Sequence, residues 1–201
     1  MKKKQNLFKQ VLVALFCAIV LVQTSIPFLG YIPLGVLNLT IIQITVIVAA
    51  LTLGLGPGVT VGFFWGVVTF IRAFVAPTSP LAAIVFVNPI ISVVPRMMIA
   101  VMAFYSWKFF NKFLKIEGLS FSLAAILGAL TNTILVLGAI YLFYRGQSHA
   151  LYAVSTDKLL PLLLGVVATN GIPEALLSAV ITPVIVIPVK KLVDRKSKKN
   201  K

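Results

Sequence analysis

Residues 39–76 read LTIIQITVIVAALTLGLGPGVTVGFFWGVVTFIRAFVA, an apolar run punctuated by Gly54-Leu-Gly56-Pro-Gly58. Glycine and proline at that density turn the chain, so the run divides into two segments instead of forming one over-long helix. Crossing about 30 Å of hydrocarbon at about 1.5 Å per residue takes roughly 20 apolar residues. Counted outward from this turn, spans are expected near 10–26, 39–55, 57–76, 82–107, 119–143 and 159–189. The fold class is therefore an all-α membrane protein, a single domain of six transmembrane helices. Without the turn the count would be odd.

Composition agrees, with 60% hydrophobic residues and a mean hydropathy of +1.06, beyond the range of an ordinary globular domain. A net charge of +14 could suggest a nucleic-acid binder. The cations instead punctuate the apolar runs: four lie in residues 1–9, three in 108–115 and seven in 190–201, fourteen of the eighteen. The positive-inside rule makes those three segments, and so both termini, cytoplasmic. Residues 190–201 read as a basic cytoplasmic tail, disordered from Asp194 and attracted to anionic lipid. Outside lie the segments 27–38, 77–80 and 144–158. The basic start reads as part of the first helix, because no small-residue cleavage pattern follows it. Cys17 is the one cysteine, which excludes an internal disulfide and a thiol metal cluster; it reads as a small apolar residue facing lipid or a neighbouring helix.

Catalysis finds no support. Four acids are spread along the chain, the single His149 falls in an outside loop, and no buried Ser/His or Asp/Asp arrangement can be assembled from them. The glycines at 54, 56 and 58 lack the lysine and the strand-to-helix setting of a phosphate loop. The chain is not expected to be an enzyme, and no cofactor or metal is expected; any ATP used is bound by another protein.

Polar residues at membrane depth remain. Arg96, near the middle of 82–107, is costly there unless something pairs with it, and is a functional candidate for that reason. Asn88, Ser92 and Arg96 recur every four residues on one stripe, and Pro89 and Pro95 free backbone carbonyls at the depth where a ligand could use them. Arg96 either pairs with the buried Glu174 or faces a ligand. Trp65, Thr69 and Arg72 share a face of the third span, with Arg72 close enough to the outer surface to snorkel instead. Gly58, Gly62 and Gly66 form a packing stripe that lets a neighbouring backbone approach. The fifth span carries Thr131-Asn132-Thr133 and the sixth Thr169-Asn170-Gly171-Ile172-Pro173-Glu174. Threonine hydroxyls can satisfy themselves on their own helix, so Thr131 is a secondary candidate, whereas Asn132 and Asn170 need partners from elsewhere. Glu174 reads as a neutraliser of an arginine. The surplus of buried positive charge marks a place for an anion.

The six-span layout, Asn88-Pro89 and Pro95-Arg96 in the fourth span, the Thr-Asn of the fifth and the Asn-Gly-x-Pro-Glu of the sixth resemble the substrate-binding S component of an energy-coupling factor (ECF) vitamin transporter. The resemblance covers nearly the whole chain and lies nearest the pantothenate-specific members. It implies a subunit of the bacterial plasma membrane that binds a vitamin from outside, docks on a transmembrane T subunit carrying two cytoplasmic ATPases, and reorients to release its cargo. It also implies that Ala14 and Ala18, four apart on the first helix, pack against the T subunit. The pocket would be covered by the segment 27–38, including Tyr31, and by the loop around 76–80.

Pantothenate has a carboxylate, an amide, two hydroxyls and a compact dimethyl group. Arginine can fork onto the carboxylate, asparagine can serve the amide and hydroxyls, and an aromatic ring can cover the apolar part. Arg96 is assigned to the carboxylate, Asn132, Asn88 and Asn170 to hydrogen bonds and Trp65 to the apolar wall, with Arg72 the second choice for the anion. The alternatives are an S component for another vitamin (pyridoxine-like, a pyrimidine precursor, folate or riboflavin), a self-sufficient carrier, or a structural subunit without a ligand. The scarcity of aromatics near the polar stripes disfavours large ring systems, and the lack of visible inverted repeats disfavours a carrier.

Overall fold

The computed structural model describes residues 2–34, 37–77, 79–114, 116–147, 152 and 156–199. The first helix, α1 (Lys2–Ser25), leads through one turn of helix, α2 (Pro27–Gly30), into a hairpin of β1 (Tyr31–Leu34) and β2 (Leu37–Thr40). Its register pairs Tyr31 with Thr40 and Leu34 with Leu37. Helix α3 (Ile42–Leu53) then ends at Gly54, whose φ of 103° lies in the left-handed region open to glycine, and α4 (Leu55–Val75) begins on the far side of that turn. The glycine-proline break divides the apolar run as the sequence suggests.

The segment read as one helix over 82–107 is three pieces. They are α5 (Pro80–Val85), α6 (Pro89–Ser92) and α7 (Val94–Phe113). Pro89 and Pro95 cannot donate to the helix ladder, and each begins a new piece in the first-turn position where no donor is needed. Helix α8 (Glu117–Tyr144) follows and closes in a short 3-10 turn, Arg145–Gln147. His149 and Lys115 lie outside the described residues. The last region is α9 (Thr156–Val166), a π-helical segment Val167–Gly171, and α10 (Ile172–Lys199). The tail expected to be disordered from Asp194 is thus helical as far as Lys199; Asn200 and Lys201 lie outside the described residues.

Among the described residues, five helical stretches are long and apolar enough to cross a membrane: Leu7–Ser25, Leu55–Val75, Pro89–Phe113, Glu117–Tyr144 and Lys158–Lys196. The expected span 39–55 is instead α3, twelve residues long, because Leu37–Thr40 enter the hairpin. Twelve residues rise only about 18 Å. That helix is nonetheless the centre of the molecule, with every residue but Thr52 buried. Ile42, Ile47, Ala50, Val61, Trp65, Ile99, Ala103 and Phe121 form the core around it, while α7 packs between α4 and α8. A second cluster of Val85, Ile91, Ile140, Leu159 and Leu163 fills the end near the α5–α6 break. At the opposite end Lys190 pairs with Glu117 at 2.8 Å and lies over the Trp107 ring.

Candidate functional site

The glycine stripe of α4 locates the site. Gly62 lies against the backbone carbonyl of Arg96 and Gly66 against the Cα of Val93, so close that an added Cβ would sit 2.4 and 2.6 Å from those atoms. Bare glycine surface there brings the start of α7 onto α4 and sets Arg96 beside Trp65, which lies between the two glycines in sequence.

Arg96 is 5% exposed. Its Nη1 donates to the carbonyl of Ile91 at 2.7 Å. Pro95, four residues after Ile91, has no N–H to offer that carbonyl, so the arginine itself meets the acceptor the proline leaves open. The carbonyl expected to be available to a ligand is already taken. The guanidinium carbon lies 5.2 Å from the Trp65 ring centre and 4.9 Å from that of Phe86, distances at which an aromatic face attracts a cation. Arg96 Nε is buried and, among the described residues, has no hydrogen-bond partner; the same is true of Trp65 Nε1 and Asn132 Oδ1. The pairing with Glu174 considered from the sequence is absent among the described residues, where the ion pair is Lys190–Glu117.

These groups line a cavity of about 140 Å³, together with Tyr31, Thr40, Thr24, Thr69, Arg72 and Ala82. At about 10–15 Å³ for each water-sized unit, it takes a solute of roughly ten such units. Tyr31 and Thr40 face each other across the hairpin, so the segment expected as a covering loop reaches the cavity through the foot of a two-stranded ribbon; its tip, Gly35 and Val36, lies outside the described residues. Arg72 does not snorkel away. Its Nη1 donates to the carbonyl of Thr24 in the last turn of α1, one of the acceptors a helix end leaves open. Thr69 donates to Trp65 O within its own helix at 2.9 Å.

The structure therefore brings together Arg96, Trp65, Arg72, Asn132 and Tyr31, and leaves Asn88, Asn170 and Thr131 outside the cavity wall. Asn88 caps α6, accepting from Ile90 N–H at 3.0 Å; the break in the helix diverts it from the stripe shared with Ser92. Thr131 donates to Leu127 O at 2.6 Å. Asn170 lies in the π segment with a buried Oδ1 that has no partner among the described residues. Sequence reasoning missed Phe86, Thr24 and Thr40. Phe86 carries no polar signal at all, and Thr24 and Thr40 are brought in by pairings that only the folded chain makes. A second groove, about 470 Å³, runs between the ends of α1 and α10 along Phe8, Leu12, Val189, Leu192 and Lys196. It is almost wholly apolar and has none of the convergent donors of the first.

Residues 8–186 match the family model described as "ECF transporter, substrate-specific component". The chain belongs to that family. Its members are transporter components, and this one is a multi-pass protein of the plasma membrane. It is 34% identical over 182 residues to the pantothenate transporter PanT of Leuconostoc mesenteroides subsp. mesenteroides, covering 87% of this chain and 88% of that one. It is 30% identical over 161 residues to the pantothenic acid transporter PanT of Lactococcus lactis subsp. cremoris, covering 73% and 75% respectively. The helical architecture, with its one short hairpin among the described residues, agrees with that family, and the cavity is walled in part by α4, α7 and α8.

Proposed function

We propose that this chain captures pantothenate from outside the cell, holds it in the Arg96–Trp65 cavity, and delivers it by reorienting while docked on a transmembrane T subunit and two ATPase subunits. One observation carries the substrate: a buried guanidinium with no carboxylate in ion-pair contact among the described residues, on the wall of a cavity that Trp65 and Asn132 also line. A buried cation left alone is costly, and an anionic ligand removes the cost when it binds. Two donors suit a carboxylate, and the amide oxygen of Asn132 suits a hydroxyl or an amide N–H. The rings of Trp65 and Phe86 suit the dimethyl group. The size of the cavity and the names of the two relatives point the same way.

Arg96, Trp65, Asn132 and Tyr31 are the proposed binding residues, with Arg72 bracing the end of α1 at the cavity wall. Asn170 and Thr131 act from behind it and Asn88 by shaping α6. Both termini are cytoplasmic and α3 completes six membrane crossings; its twelve residues are shielded by neighbouring helices and continued by the hairpin. Ala14 and Ala18 are exposed on α1, the least buried of the five long helices, which leaves that face free for the T subunit. Calorimetry of the purified protein with pantothenate, using pyridoxine and folate as controls, tests the substrate. Saturable heat with pantothenate alone is expected.

A further inference from the structure

Glu174 lies outside the cavity wall. It is 6% exposed, on the first turn of α10, and no cation is in ion-pair contact with it among the described residues. Its two oxygens are both engaged by the other end of the chain. Oε1 accepts the backbone N–H of Thr40 at 2.7 Å, and Oε2 accepts Gln43 Nε2 at 3.3 Å. Thr40 is the last residue of β2 and the cross-strand partner of Tyr31, and both line the cavity. Gln43 is the second residue of α3 and fully buried. One carboxyl thus spans the joint between the hairpin and the central helix and ties it to α10.

The Thr40 N–H is partly buried at the cavity wall, and opening of this joint would leave it without its carboxylate acceptor. We infer that Glu174 is a positioning residue: a latch that holds the foot of the hairpin, and with it Tyr31 and Thr40, over the occupied cavity, and so sets how slowly the bound solute leaves. The inference takes pantothenate as its ligand from the reading above. The π-helical segment Val167–Gly171 directly precedes the latch, an irregularity of a kind that recurs at functional sites and places the bond where α10 departs from regular geometry.

The test separates reach from charge. The full-length purified protein is loaded with labelled pantothenate, dissociation is followed after an unlabelled chase, and amide exchange of residues 37–43 is measured with and without ligand. Glu174→Ala should speed dissociation about tenfold or more, as loss of a hydrogen bond to a charged or strongly polar group does, while association changes by less than about threefold. Exchange at 37–43 should rise even in the ligand-free protein. Glu174→Asp keeps the carboxyl but withdraws it by one methylene, and should behave like the alanine variant. Glu174→Gln keeps an acceptor for Thr40, and Gln43, whose Oε1 has no partner among the described residues, can turn to receive the new amide; dissociation should stay within about threefold of the parent.

Parent-like dissociation and exchange in Glu174→Asp, or a glutamine variant as fast as the aspartate one, would overturn the latch. Should the alanine variant fail to fold, the aspartate and glutamine variants decide alone. Should the parent bind no pantothenate, the substrate reading fails on its own. In that case raised exchange at 37–43 in Glu174→Asp still supports the latch, and unchanged exchange overturns it.

Discussion

Arg96 illustrates how one residue can serve structure and ligand together. Nη1 closes the gap that Pro95 leaves at Ile91 O, while Nε is buried without a partner among the described residues and the residue itself lines the cavity. Replacing it by alanine should cost on the order of 2 kcal/mol or more of pantothenate affinity, the scale of a charge-assisted bond in a buried site. Calorimetry on variants that keep the parent's thermal midpoint checks this. Arg96→Lys should recover little, because a point charge cannot both reach Ile91 O and present a second donor in a fixed plane. Arg72→Ala should weaken binding less than Arg96→Ala, since its donor already serves the end of α1. Equal losses would mean that the anion lies between the two arginines. The sequence made Arg96 conspicuous because a buried cation is rare, and Trp65 and Arg72 followed from helical spacing. Asn88 was ambiguous: an asparagine before a proline serves equally as a stripe residue or as a helix cap, and the break between α5 and α6 gives it the cap.

At the scale of elements, the close contact of α4 with α7 places the site. A methyl group on Gly62 would meet Arg96 O at 2.4 Å, so Gly62→Ala must push α7 away. Thermal unfolding should show a loss of about 1–3 kcal/mol, accompanied by weaker binding because Arg96 moves with its backbone. Gly138→Ala is the control, with nothing within 4 Å of the added methyl; it should leave both quantities near the parent's. The long helices were legible because their apolar runs end in charge or in glycine and proline. The hairpin and the shortness of α3 were not. Residues 31–40 are apolar with interspersed proline and glycine, which reads as a loop, and the antiparallel pairing of Tyr31 with Thr40 depends on a contact that local pattern does not encode. The continuation of α10 to Lys199 was hidden likewise, because a lysine-rich end looks like a solvated tail whether or not it is helical.

For the whole molecule, the ligand site and the docking face should be separable. Ala14 and Ala18 lie on the outer face of α1, whereas among the described residues the cavity wall takes only Thr24 from that helix. Ala14→Leu with Ala18→Leu should therefore leave pantothenate affinity within about threefold of the parent while abolishing uptake in cells that carry the T subunit and ATPases, since bulk on a small-residue face prevents close helix approach. Loss of binding in the purified double variant would instead extend the site along α1 to the face of Ala14 and Ala18. The architecture around the cavity was readable as a membrane bundle with excess positive charge; the absence of a Glu174 partner for Arg96 was not, because which buried charges meet depends on the packing of α10 against the hairpin. The most direct measurement is calorimetry of pantothenate against the purified parent and Arg96→Ala, with pyridoxine as the neutral control. Saturable binding of pantothenate alone, lost in the variant, is the expected result; no pantothenate binding, or pyridoxine bound equally well, would contradict an anion site built on Arg96.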